Sequence, residues 1–333
     1  MSAAGKSENT GILVIRLGAM GDILHTLPAV ASLKHSHPGS RLTWAIEPKW
    51  APLLEGNPFV DRIVLVRRDS PAALYSSYRE LRSERYDIAV DFQGLIKSAL
   101  VASASHADRI FGFANSLLRE RWAGLFYSSK TSSEAAHVVD RNLDLAVAAG
   151  GSSMLRVFPL PEGTPEGQLP EGDFVLASPL AGWGAKQWPR AHYRALAERL
   201  RGELGMPLVV NLPPDSDWAE PPSLPHASSL GGLIDATRRA TAVLGVDSGP
   251  LHLAAAVSKP GVAIFGPTDP ARNGPYGNSF QVLRAPGAAT TYKRQATSES
   301  MARVSPDQVF EALRAILGER RGASGRSANC CAG

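Results

Sequence analysis

Four stretches hold the residues whose types and spacing can do chemistry. The first is Leu17-Gly18-Ala19-Met20-Gly21-Asp22. Gly18 and Gly21 let backbone approach a ligand closely where a strand turns into a helix. Asp22 stands where that helix begins and has two readings, an N-terminal cap or a general base. The spacing does not fit GxGxxG, so no dinucleotide fingerprint is present. The second stretch is Asp91-Phe92-Gln93-Gly94-Leu95-Ile96-Lys97-Ser98. Gln93, Lys97 and Ser98 suit contacts to hydroxyls or phosphate; equally, Asp91 caps a helix and Lys97 is a solvated charge. His137 and Arg141 lie four apart in an expected helix, as an anion clamp or as a solvent-facing pair beside Glu134 and Asp140.

The third stretch, 179–189, follows a strand. Its small residues offer backbone donors and Lys186 a cation, which suits a diphosphate as well as it suits a plain glycine-rich loop. The fourth, Val246-Asp247-Ser248-Gly249-Pro250-Leu251-His252, is the most specific. A strand ends and a helix starts on Ser/Gly/Pro, so free amides and the helix dipole can hold phosphate. Ser248 adds a hydroxyl. Asp247 either bonds ligand hydroxyls or orders the turn, and His252 points to phosphate or into the core. A further turn, 265–270, puts Thr268 and Asp269 at the end of the next strand.

The elements that position these residues alternate. Strands are expected at 11–18, 41–47, 62–66, 86–92 and 107–113, with helices at 22–35, near 48–55, 71–85, 94–105 and 134–149. Residues 157–172 are rich in Pro and Gly, and 159–172 reads as a linker. Alternation restarts with strands at 173–179, 206–212, 241–247, 261–267 and 279–285, and helices at 190–203, 230–240, 249–257 and 305–317. Residues 213–225 hold too many prolines for a full helix. This predicts an α/β protein of two doubly wound domains, 11–158 and 173–317, making a cleft, with a disordered tail at 320–333.

The 333 residues are 44% hydrophobic, too apolar for a disordered chain. No apolar run reaches the roughly 18 residues of a membrane span. The polar start MSAAGKSENTG lacks the apolar core of a signal peptide, which points to the cytosol. Two cysteines, Cys330 and Cys331, adjoin near the end and exclude a disulfide framework or a cysteine metal site. A net charge of +4 is too mild for a dedicated nucleic-acid binder and fits an anionic small ligand or membrane surface.

In this order, IRLGAMGDILHTLPA, DFQGLIKSA, GVDSGPLHLAAA and FGPTDPARNGPYG resemble the ADP-heptose:lipopolysaccharide heptosyltransferases, glycosyltransferase family nine. The resemblance runs from about 11 to 317, and the middle motif looks more like the enzyme adding the first heptose to Kdo–lipid A. It implies a GT-B fold, two Rossmann-like domains facing across a cleft, the N-terminal one taking the acceptor and the C-terminal one the nucleotide-sugar. It implies inversion at the sugar, no metal and no cofactor. Asp22 would be the base. Lys186 would hold the donor phosphates, and Asp247, Ser248, Gly249, His252, Thr268 and Asp269 the ADP-sugar. Gly21, Gln93, Lys97, His137 and Arg141 would contact the acceptor or phosphate. The acceptor would be a Kdo–lipid A-type glycolipid, with the protein peripheral on the cytoplasmic face of the inner membrane and no nucleic acid involved. Trp44, Trp50 and Arg67-Arg68 are then candidates for the membrane surface, or simply core and solvated residues.

Two departures stand out. Arg16 replaces a common lysine, keeping the charge. Residues 213–229 lack the Glu-rich helix of relatives, leaving Asp217 and Glu220 as poor substitutes for a ribose-binding glutamate. Alternatives are therefore a related transferase with another nucleotide-sugar or glycolipid, or a GT-B protein that binds without turnover.

Overall fold

Aliphatic runs without polar alternation form the centres of two six-stranded sheets, as buried parallel strands must. The computed structural model describes residues 10–214, 216–218, 220–292 and 299–329, with side chains to 318. The chain divides into two compact units between Pro161 and Glu162.

The first unit runs β1 (Gly11–Ile15), α1 (Met20–Leu24), α2 (Leu27–Ser36), β2 (Arg41–Ile46), a 3-10 segment (Pro48–Leu54), β3 (Arg62–Leu65), α3 (Pro71–Leu81) and β4 (Ile88–Asp91). It continues with α4 (Ile96–Ala104), β5 (Arg109–Phe113), a second 3-10 segment (Arg121–Phe126), β6 (Ser129–Thr131) and α5 (Val138–Ala148). Its sheet order is β3-β2-β1-β4-β5-β6, all parallel. Leu13 and Ile15 of β1 pack with Leu81 of α3 and Ala102 of α4. Ile12 and Val14 point to the other face, where alternation and right-handed crossovers put α2 and α5.

The second unit repeats the plan. It runs β7 (Val175–Ser178), a 3-10 turn (Gly184–Lys186), α6 (Arg190–Leu204), β8 (Leu208–Asn211), β9 (Leu224–His226), α7 (Leu230–Arg239) and β10 (Ala242–Val246). Then come α8 (Gly249–Ala256), β11 (Gly261–Phe265), α9 (Pro270–Asn273), β12 (Phe280–Arg284), α10 (Glu299–Ala302) and α11 (Pro306–Asn329). The order β9-β8-β7-β10-β11-β12 is the order of the first sheet, strand for strand. Leu196 and Leu200 of α6 share a core with Phe310 and Leu313 of α11. In both sheets the order reverses beside the first strand, where doubly wound folds bind ligands.

Several expectations are corrected. The helix expected at 22–35 is two helices, because Pro28 has no N–H to continue the first; Thr26 is the N-cap of the second. The short edge strands β6 and β9 were not expected, nor were α9 and α10. The last helix continues past 317 to Asn329, through a stretch with no proline, where irregular chain was expected; residues 330–333, with both cysteines, lie outside the described residues. Within 159–172, Pro159 O accepts from Asn57, Thr164 N donates to Gly231 O, and Glu166 accepts from the backbone and hydroxyl of Ser229 at 2.7 Å. This stretch is docked onto its neighbours rather than loose.

Asp91, the last residue of β4, is completely buried. Its carboxylate accepts from Gln93 N (2.9 Å), Gly94 N (3.2 Å), Ser98 Oγ (2.8 Å) and Tyr127 OH (2.7 Å). It does not cap α4, whose N-cap is Leu95; it folds the turn before α4, which Gly94 completes at φ +67°. Burial pushes the Asp91 carboxyl up from its ordinary range against these four donors. Burial and the neighbouring carboxylate push the Tyr127 phenol up as well, so it stays a donor. Tyr127→Phe should cost about 2 kcal/mol of stability, since it strips one donor from a sealed carboxylate. Urea denaturation with an unchanged m-value measures this.

Candidate active site

Ile15 of β1 pairs in register with Asp91 of β4, so the turns after these strands leave the sheet side by side. Leu17 N donates to Gln93 Oε1 at 2.8 Å and ties the two turns together. Gln93 thus spends its carbonyl on the neighbouring turn. Gly18 lies tight against Trp50: a Cβ there would come 2.9 Å from Trp50 Nε1, and the indole would have to shift. Trp50 is half-buried against that glycine, while Trp44 is fully buried with its Nε1 on Arg16 O, which removes Trp44 from any membrane surface.

Asp22 is the third residue of α1 and not its N-cap. Its Oδ2 lies 3.4 Å from Ala19 N, a long capping contact. Its Oδ1 lies 2.8 Å from Arg16 NH2, and its side chain remains 47% exposed. Arg16, almost buried, also donates through NH1 to Phe92 O. Arg16 therefore braces Asp22 against the Asp91 turn. Gly21 forms the first turn of α1, its carbonyl accepting from His25 N.

Lys97 is neither free nor merely solvated. Its Nζ is 3.6 Å from Glu47 Oε1, an oxygen shared with Arg68. Glu47 is a site residue that sequence reasoning missed; it follows β2 without any motif of its own. His137 is the N-cap of α5, its Nδ1 accepting from Val139 N at 3.1 Å. It keeps its four-residue relation to Arg141 through the backbone, but Arg141 turns its Nε to Ala135 O at 2.7 Å. The His137 ring meets His25 edge-on at 5.5 Å, and Asn142 donates to His25 O, so α5 is fastened beside the Asp22 turn.

In the second unit Gly245 of β10 pairs with Ser178 of β7. Lys186, on the turn after β7, reaches Asp247 Oδ2 at 2.6 Å. Its Nζ also stands 4.5 Å above the Trp183 ring. His252 Nε2 is 3.6 Å from Asp247 Oδ1, so this histidine faces the acid rather than the core. Burial would raise the Asp247 carboxyl, but the bond and charge of His252, then Lys186, outweigh it and hold it well below the usual carboxylate range.

Ser248 occupies the N-cap of α8 yet makes no capping bond, and its Oγ is buried without a hydrogen-bond partner. Thr268 Oγ1, one strand over, is also buried and unpartnered. Ser248 and Thr268 follow the adjacent strands β10 and β11, and Ser248 immediately precedes the first amide of α8. Asp269 accepts from Ala271 N and caps α9. No helix is described between β8 and β9. There Arg190 pairs with Glu220 at 3.0 Å and donates to Asp217 O, and Trp218 packs on Tyr193. Among the described residues no group of three His, Cys, Asp or Glu is arranged to hold a metal ion.

Because the folded Asp247 carboxyl titrates below the ordinary aspartate range, its contribution is complete above that range and fades as pH falls toward the lower folded value. Asp247→Asn should therefore be clearly less stable than wild type at pH 7, with the gap narrowing at pH 3. Chemical denaturation at the two pH values tests this.

The glycosyltransferase family 9 (heptosyltransferase) model matches residues 74–217 and 224–302. Lipopolysaccharide heptosyltransferase 1 of Escherichia coli is 31% identical over 320 residues, covering 83% of this chain and 92% of that protein. Its counterpart in Pseudomonas aeruginosa is 29% identical over 296 residues, covering 80% of this chain and 82% of that protein. Among solved structures, E. coli heptosyltransferase WaaC with ADP aligns with a TM-score of 0.75 at 25% identity, over 92% of this chain and 100% of that one. E. coli ADP-heptose lps heptosyltransferase II shares the fold, with a TM-score of 0.75 at 22% identity over 94% of this chain. The two doubly wound units are thus those of a GT-B enzyme, and the chain belongs to glycosyltransferase family 9.

Proposed function

We propose that this glycosyltransferase moves a heptose from ADP-heptose to the inner core of Kdo–lipid A, with inversion at the sugar carbon and Asp22 as general base. The observation that carries the base assignment is the state of the three acids at the first sheet's edge. Asp91 is sealed under four donors, Glu47 is 17% exposed beneath Lys97 and Arg68, and Asp22 is 47% exposed. Asp22 is the most exposed of the three, which supports it as the group that meets the acceptor hydroxyl. The donor assignment is supported by WaaC structures with ADP and with ADP-2-deoxy-2-fluoro heptose.

The chemistry follows from charge. The Asp22 carboxylate takes the proton of the acceptor hydroxyl as that oxygen bonds to the sugar carbon. The bond from that carbon to the diphosphate breaks, and ADP leaves with the electron pair. Lys186 and the first amides of α8 meet the negative charge that develops there, and Ser248 and Thr268 donate to phosphate or ribose oxygens. Arg16 fixes the Asp22 rotamer, and its gain is one of placement. His137, Arg141 and Lys97 offer positive charge and donors to the anionic acceptor.

A second reading is favoured by one observation. Glu220, one of the two acids that 213–229 offers for the ribose, is paired with Arg190 at 3.0 Å, which supports a ribose contact unlike that expected from the resemblance. Another nucleotide-sugar, or binding without turnover, is the alternative.

Asp22→Asn should lower kcat by about 10²–10⁴-fold in ADP release from ADP-heptose and Kdo–lipid A. Loss of less than tenfold removes Asp22 as base. Separately, ADP at a hundred times its Kd should stabilise both wild type and Asp22→Asn by about 2.7 kcal/mol in thermal unfolding. Lys186→Met should abolish that shift. Absence of the shift in wild type would leave the family fold without an adenine nucleotide site.

A further inference from the structure

The first residues of the second unit, 162–170, run as a strap along the end of β9 and the start of α7. Thr164 N donates to Gly231 O at 3.1 Å, and Glu166 accepts from Ser229 N and Ser229 Oγ at 2.7 Å each. Arg239 donates to Pro170 O at 3.4 Å. The approach is as close as backbone allows. A Cβ on Gly163 would lie 2.5 Å from Asp235 N, and one on Gly167 would lie 2.9 Å from His226 Nδ1. Yet none of residues 162–170 is itself buried. A segment held by a few exposed hydrogen bonds, with no side chain in a core, opens at low cost.

Beneath the strap lies His226, the last residue of β9, only 1% exposed. Neither of its ring nitrogens makes a well-formed hydrogen bond, and Ser228 Oγ and Asp235 Oδ2 along the same seam are buried without one as well. A sealed polar ring in this state is rare and calls for a reason. The neutral imidazole can sit there at modest cost; the imidazolium cannot. The charged groups that face it are Glu166 from the strap and Asp235 and Arg239 from α7, while β8 sets the uncharged Asn211 opposite it. Burial lowers the ring below the ordinary histidine range. It outweighs the opposite pull of the Gln168 backbone, Asp235 and Glu166, and Arg239 adds to the lowering.

We propose that His226 is a proton-operated latch: the strap closes over the neutral ring, and a proton on the ring releases the strap. The sealed ring takes a proton less readily than the same ring in water. Its contribution to closure is therefore complete above the ordinary histidine value of about 6.5 and is lost as pH falls below it. One unit below that value the open form gains about tenfold over the closed one. The strap directly follows the boundary between the two units, so its release lengthens the free chain that joins them and leaves the sheet of the second unit in place. The latch needs no substrate and does not rest on the proposed reaction.

The test is hydrogen–deuterium exchange of the full chain at pH 7.5 and pH 5.5, read by mass spectrometry and corrected for the intrinsic pH dependence of exchange. In wild type the protection of the amides in 163–169 should fall about tenfold at the lower pH, while the amides of β10 keep theirs. His226→Gln and His226→Phe, neither of which titrates in this window, should hold the strap's protection within about twofold. Glu166→Gln should still show the fall, because the bonds from Ser229 hold the Glu166 carboxyl below its ordinary range and ionised at both pH values. Four results overturn the proposal: a strap unprotected at pH 7.5, protection that does not change with pH, an equal fall in the His226 variants, or a parallel loss in β10. Loss of the fall in Glu166→Gln assigns it to that carboxyl and overturns the proposal as well.

Discussion

A carboxylate with no access to water must be given donors, and in the first unit that demand shapes everything around it. Asp91 takes two amides from its own turn, one hydroxyl from α4 and one phenol from beyond β5. Folding the turn to supply the amides is what brings Gln93 within reach of Leu17 and sets the start of α4, where Lys97 sits. Phe92 O, in the same turn, anchors Arg16, and Arg16 holds Asp22. The exposed Asp22 carboxylate is thus positioned by a buried one two links away.

The second sheet poses the same problem and solves it differently. Asp247 follows β10, which holds the place in its sheet that β4 holds in the other. Its partners are a cation and an imidazole instead of neutral donors. Neutral donors seal an acid into a scaffold. One topology, repeated within the chain, has an acid under neutral donors at one switch point and an acid–lysine ion pair at the other.

The strand ends were readable in the sequence because parallel strands are unbroken apolar runs and their ends are marked by Gly, Asp and Ser. GILVI, VLAS and GVAIF are fully buried, as such runs predict. The short edge strands were not readable: SKT has no apolar signal, and LPH carries a proline that only an edge strand tolerates. The helix break at Thr26 was visible in Pro28 but outweighed by the continuous apolar stripe. Site residues within a motif were found together. Those joined only through space were missed, because the 36 residues separating Asp91 from Tyr127 carry no shared pattern, and Glu47 is singled out only by the cations that converge on it.

If Lys186 holds the donor phosphates as proposed, its contact with Asp247 would bear on how long that ligand stays. An anion that took Lys186 would have to displace a carboxylate already 2.6 Å away and leave it beside His252. Re-formation of that contact therefore favours departure of the anion. On the proposed reading of this site the arrangement would trade affinity for reversibility, the lysine returning to Asp247 once the anion has left.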